Sequence, residues 1–187
     1  AALKAFDDSL KKLGQDYVDL YLIHWPIKEG RAASWKGLEK LYAEKRVKAI
    51  GVANYNIALL EELKTTASIV PAVNQIEFSP WLYQEDLLAY CKAAGIQVQS
   101  YSPITRGLKF SDERLVLICN KYNRTPAQIV LNWHLQHGIS TIPKSSKKER
   151  LVENFDATSF TLSNEDVKIM NGFNENFRIC DDPQTYL

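Results

Sequence analysis

The sequence predicts an α/β protein built around a parallel sheet, and three observations carry that expectation. Five short runs, near residues 18–23, 47–53, 72–77, 96–101 and 139–142, are rich in the branched and aromatic residues that favour strands. The gaps between them are too long for hairpins and show apolar residues at helical spacing, which suits crossover helices between parallel strands. Four of the five runs stop at a proline: Pro26, Pro80, Pro103 and Pro143. A residue before proline is pushed out of the helical region, so each run ends as an extended segment entering a loop.

Each element follows from a local pattern. Residues 3–13 place Leu3, Phe6, Leu10 and Leu13 on one helical face, with Gly14 positioned to close the helix. After the first strand, Trp35, Leu38, Leu41 and Tyr42 repeat the helical spacing, and the second strand follows. Asn56 is a capping residue for a helix that buries Leu59, Leu60 and Leu63. Residues 84–94 carry Leu87, Leu88 and Cys91 ahead of Gly95. Two helices fill the gap after Tyr101, over 112–122 and 126–137. The second opens Thr125-Pro126-Ala127-Gln128, a capping box with proline at the first helical position. Beyond the last strand, Ser146-Lys147-Lys148-Glu149 reads as another capping box and predicts a short helix.

Composition narrows the class. A formal charge of +1 gives no reason to expect nucleic acid or an anionic membrane as partner. No apolar run approaches bilayer length, and no signal-peptide pattern opens the chain. Cys91, Cys119 and Cys180 are odd in number and widely spaced, which suits reduced thiols in a cytoplasmic protein. No linker-like stretch divides the chain, so residues 1–187 are expected to form a single domain. Five β/α units are fewer than the eight of a closed barrel, which needs about 250 residues. On these grounds two architectures stay open: a flat doubly wound sheet, or most of a barrel.

Polar residues collect at the strand ends: His24, Asn74, Gln75, Tyr101, Ser102 and Lys144. In parallel α/β folds, ligands bind outside these carboxyl ends. The helix start after the last strand would aim its dipole and amide groups the same way, with Lys144 and Arg150 adding positive charge, an arrangement suited to a dianionic phosphate. His134 and His137 share a helical face, but no Cys, Asp or Glu close by completes a ligand set, so no metal is expected.

Five strings in order resemble the aldo-keto reductase family: residues 16–26 with His24-Trp25-Pro26, Lys48-Ala49-Ile50-Gly51-Val52-Ala53-Asn54-Tyr55, Asn74-Gln75-Ile76-Glu77, Tyr101-Ser102-Pro103, and Ile142-Pro143-Lys144-Ser145-Ser146-Lys147-Lys148-Glu149-Arg150-Leu151-Val152-Glu153-Asn154. The resemblance implies a (β/α)8 TIM barrel, an incomplete one of which this chain supplies about five β/α units plus the C-terminal helix and tail. It implies NADPH-dependent reduction of aldehydes and ketones to alcohols by a protein that is monomeric when complete.

Carried over residue by residue, the resemblance makes His24 the catalytic residue that orients the substrate carbonyl. Asn54 and Gln75 would hold the nicotinamide carboxamide, and Tyr101, with Ser102 beside it, would stack on the other ring face. Lys144, Ser145 and Arg150 would bind the 2′-phosphate of NADP(H), and Glu153 and Asn154 would face the adenine. Trp25 and Trp81 lie in the loops beside His24 and would either wall the carbonyl pocket or pack under the loops; the tail from 177 to 187 would border that pocket. Where the family has serine this chain has Ala53, so one hydrogen bond to the carboxamide is missing, a loss of about 1 kcal/mol. The family's catalytic tyrosine, lysine and aspartate would align upstream of Ala1, so the segment alone is expected to be inactive. The alternative functional reading is an NADP-binding, reductase-like regulatory or sensor barrel without useful turnover.

Overall fold

The structure is a computed structural model that describes residues 2–186. Its strands follow the order β1-β2-β3-β4-β5 in one sheet. The chain divides into two compact units. The first comprises Ala1–Gln75, Asp86–Gln97 and Asp182–Leu187, and the second Ile76–Glu85 and Val98–Asp181.

Unit 1 contains α1 (Ala2–Leu13), β1 (Val18–Ile23), α2 (Arg31–Ala43), β2 (Val47–Ala53), α3 (Ile57–Lys64), the first residues of β3 (Val73–Glu77) and most of α4 (Glu85–Ala93). β1 and β2 pair in parallel from Val18↔Val47 to Ile23↔Val52, and β2 pairs with β3 through Val52↔Asn74 and Ala53↔Gln75. Gly51 makes this close packing possible. A Cβ there would lie 2.6 Å from the Val73 carbonyl oxygen and 2.7 Å from a Leu22 methyl. Trp35, Leu38 and Leu41 of α2 and Leu59, Leu60 and Leu63 of α3 are buried. Asn56 caps α3 as expected, its side chain accepting from the Leu59 N–H at 2.9 Å.

Two expected core residues are exposed instead: Leu13 (60%) and Tyr42 (43%). The buried stripe of α1 ends at Leu10, because the chain turns off at Gly14 (φ 63°). There the Gly14 N–H bonds to the Lys11 carbonyl and the Gln15 N–H to that of Leu10. The periodicity found both faces correctly but made them one residue too wide.

Unit 2 holds the end of β3, most of β4 (Gln97–Tyr101), α5 (Glu113–Tyr122), α6 (Pro126–Gln136), β5 (Ser140–Thr141), α7 (Lys148–Phe155) and α8 (Asn164–Asn171). β4 and β5 are parallel, with Gln99↔Ser140 and Ser100↔Thr141. α6 is buried from Ala127 through His134, and both halves of the Thr125–Gln128 capping box are formed. The core is aromatic: Phe78 stacks on Trp133 at 5.6 Å between ring centres, and Trp81 lies 6.0 Å from Phe173.

Candidate active site

Each unit carries its own group of strand-end residues. In unit 1, His24 is the first residue after β1 and is exposed, with its ring 6.2 Å from that of half-buried Trp25. Its backbone carbonyl accepts a hydrogen bond of 2.9 Å from the Asn54 side-chain amide. Asn54 follows β2 in the left-handed region (φ 66°), which asparagine tolerates better than other side chains, and it is almost wholly buried. Its own N–H donates to the Gln75 carbonyl at 2.9 Å. His24 and Asn54, each just past the end of its strand, are thus joined by hydrogen bonds to each other and to the backbone of Gln75. Gln75 lies in the middle of β3 and not at the strand end the sequence suggested, because β3 runs on to Glu77.

Two further side chains support this group. The amide of fully buried Asn74 brackets the backbone of Tyr55: Nδ2 donates to its carbonyl at 2.8 Å, and Oδ1 accepts from its N–H at 3.4 Å. A side chain here stands in for a strand partner that the chain no longer offers. Arg31 ties the loop after His24 to α3, donating from Nη1 to the Pro26 carbonyl at 3.2 Å and pairing with Glu62. The pair raises the Arg31 pKa and lowers that of Glu62 through the hydrogen bond they share. Tyr55 is buried, and burial pushes its hydroxyl up to about 12, which suits a core residue and not a proton donor.

In unit 2, Tyr101 ends β4 and is half-buried, with burial first and the nearby Glu77 carboxylate second in raising its pKa. Ser102 follows in the left-handed region (φ 49°). Trp81 is fully buried, and its Nε1 donates to Asp112 at 2.7 Å. Of the two expectations for Trp81, packing under loops is the one its burial fits. Its backbone carbonyl accepts from Glu175 N–H (3.0 Å) and Phe177 N–H (2.9 Å), which fixes the start of the tail. Within the tail, Leu187 lies outside the described residues.

The segment expected to bind phosphate differs from its sequence pattern in one respect. Ser146 does not cap α7, and the capping box is not formed. The N-cap is Lys147, extended at φ −107° and ψ 125°, with no side-chain cap. The cause is Ser145, one residue earlier, whose hydroxyl accepts the Lys147 N–H at 3.1 Å and donates to the Lys147 carbonyl at 3.2 Å. Lys144 and Arg150 are exposed, and among the described residues neither is in an ion pair. Their charges are therefore open to an anion from solvent. Glu153 accepts a hydrogen bond of 2.6 Å from the Thr125 hydroxyl, and Asn154 is half-buried beside it.

The α6 histidines are committed to other partners. His134 has Nδ1 2.7 Å from the Val130 carbonyl and Nε2 3.0 Å from that of Phe78, and His137 Nε2 lies 2.9 Å from Asn171 Oδ1. Among the described residues no helix is long and apolar enough to cross a membrane.

Sequence reasoning gave no role to Arg31 or Glu77 and grouped Asn74 with the strand-end polar residues, whereas it is the second residue of β3 and its side chain serves Tyr55. A polar residue on the inward side of an apolar strand was the available signal for Asn74, and a carboxylate before Phe78-Ser79-Pro80 was the signal for Glu77.

The family model described as the aldo/keto reductase family matches residues 1–175. The chain is 47% identical over 184 residues to the uncharacterized oxidoreductase YtbE of Bacillus subtilis, covering 98% of this chain and 66% of that protein. It is 46% identical over 185 residues to the glyoxal reductase of the same organism, covering 99% and 67%. The chain thus spans about two thirds of the length of these curated relatives. Among solved structures, a mutant of Gox0644 in complex with NADPH matches with a TM-score of 0.94 and 38% identity, over 98% of this chain and 69% of that one. This likeness shows the expected fold, that of the (β/α)8 barrels of which the chain supplies five β/α units. With the family model matching residues 1–175 and relatives close to half identical in sequence, the chain belongs to the aldo/keto reductase family.

Proposed function

We propose that the protein containing this chain reduces small aldehydes and ketones to alcohols with NADP(H). The observation that supports this best is the hydrogen-bonded series His24, Asn54, Gln75, which fixes the backbone of the residue that carries an exposed imidazole at the carboxyl end of β1. NADP(H), when bound, supplies the hydride. His24 donates a hydrogen bond to the substrate carbonyl and aims it, while half-buried Trp25 walls the pocket. Asn54, whose side chain also donates to the His24 carbonyl, and Gln75 hold the carboxamide. Tyr101, with Ser102 beside it, supplies the stacking face for the nicotinamide. Lys144, Ser145 and Arg150 bind the 2′-phosphate, and Glu153 and Asn154 border the adenine. The similarity to a glyoxal reductase and to an NADPH-bound structure supports this substrate class and this cofactor. Three unpaired cysteines fit a cytoplasmic location.

The cofactor assignment is tested at Arg150. In the complete protein, Arg150→Met should raise the Kd for NADPH by roughly tenfold, the worth of one charge-assisted hydrogen bond. The Kd for NADH should change less than about twofold, because NADH has no group there to lose. Equal weakening of both would place the 2′-phosphate elsewhere. NADPH absorbance followed with glyoxal and nitrobenzaldehydes tests the activity. Tight NADPH binding without turnover of any carbonyl would favour the regulatory barrel instead.

A further inference from the structure

We propose that Glu77 is a positioning residue that latches the tail beside Tyr101 and thereby sets which carbonyl compounds reach that ring. This rests on the reading of Tyr101 as the residue that stacks on the cofactor.

Glu77 ends β3 and is 3% exposed, an unusual place for a carboxylate with no cation in an ion pair with it among the described residues. Its two oxygens are each used. Oε1 accepts from the Ile179 N–H at 2.7 Å, and Oε2 from the Cys180 N–H at 3.0 Å. Two successive amides of a segment with no regular structure, about a hundred residues further along the chain, therefore converge on one buried anion. Hydrogen bonds to a charged acceptor are the strong ones, and here they replace solvent for the carboxylate.

Other bonds point the same way. Gln84 donates to the Glu77 carbonyl at 2.8 Å and accepts from Arg178 at 3.5 Å. Arg106, in the left-handed region at φ 52°, places a guanidinium nitrogen 4.0 Å from the Cys180 sulfur. Residues 178–180 are held from the end of β3, from the start of α4 and from the loop after β4. Glu77 ends β3 and Tyr101 ends the neighbouring strand β4, which puts the latched segment at the strand end next to that side chain. Glu77, Cys180 and Arg178 all act electrostatically on the Tyr101 hydroxyl. Moving the tail changes the space beside Tyr101 without touching the phosphate-binding residues.

The chemistry requires a carboxylate. Glutamine at 77 keeps one acceptor but turns an amide N–H₂ towards the second backbone N–H, so one bond is lost and two donors face each other.

The test is Glu77→Gln in the complete protein, with three readouts. Hydrogen exchange at Ile179 and Cys180 should speed up by about tenfold or more. The kcat/KM ratio between a bulky aromatic aldehyde and glyoxal should shift by about fivefold, mainly through KM. The Kd for NADPH should stay within about twofold, since the phosphate contacts are unchanged. Ile179→Pro removes one donor from the tail side, should speed exchange at Cys180 and reproduce the other two results, and carries the test alone if Glu77→Gln fails to fold. Unchanged amide exchange overturns the latch, and faster exchange with an unchanged substrate ratio overturns its role in specificity. If the unmodified protein binds no NADPH, the reading of Tyr101 fails, the specificity role falls with it, and amide exchange still decides whether the latch exists.

Discussion

Replacing Asn74 with leucine should destabilise the protein by about 2–4 kcal/mol, although the side chain keeps nearly the same size. Asn74 is 0% exposed, and its amide satisfies both the N–H and the carbonyl of Tyr55. Leucine removes both partners at once. Each backbone group left buried and unpaired costs about 1–3 kcal/mol, which outweighs the gain from burying a more apolar side chain. The damage should spread to the site. Tyr55 follows Asn54, whose amide holds the His24 carbonyl, so freeing Tyr55 loosens the residue that fixes His24. Urea unfolding measures the first effect and the kcat for glyoxal the second. A loss below about 1 kcal/mol would mean that water or a backbone shift satisfies Tyr55 in the variant.

The strands and helices were legible because their signals are local. Proline after four of the five strands, Asn56 and Thr125 at helix starts, and glycine after α1 act within a few residues, and the structure uses them as expected. The errors came from competition between equally local signals. Ser145 and Ser146 both could bond near the start of α7, and Ser145 takes the Lys147 N–H first, so the helix begins one residue later without a cap. Leu13 continues the apolar spacing of α1, yet the turn at Gly14 ends the buried stripe before it.

The site was legible in part. Strand-end positions and the motif order singled out His24, Asn54 and Gln75; the structure puts the first two just past their strands and Gln75 within β3. What the sequence hid were the partners. Nothing near Glu77 tells that its carboxylate meets amides at 179 and 180, and nothing near Asn74 tells that it serves Tyr55. Such pairings depend on which segments the fold brings together, and a buried polar residue in a strand signals only that some partner exists.

Acid should destabilise unit 2 through His134. The ring is fully buried in α6 between two backbone carbonyls, those of Val130 and Phe78. A neutral imidazole has one N–H and can satisfy only one of them, whereas the imidazolium could donate to both. Burial opposes that charge more strongly than the carbonyls favour it, with neighbouring His137 adding to the opposition, and the pKa is held down at about 4 against 6.5 in the unfolded chain. Between those two values the unfolded chain binds the extra proton and the folded one does not, so stability falls as pH drops from about 6.5 towards 4. The gap corresponds to about 3 kcal/mol, and above pH 6.5 His134 contributes no slope. The carboxylates of Asp112, Asp166 and Glu175 are held below their usual range and lose stability in the same direction, so the histidine must be isolated. His134→Leu does this: its unfolding free energy should fall less between pH 7 and pH 4.5 than that of the unmodified protein. Equal falls in the two proteins would show that the ring takes up its proton in the folded state at about the same pH as in the unfolded chain. The two carbonyls, and not burial, would then govern its charge.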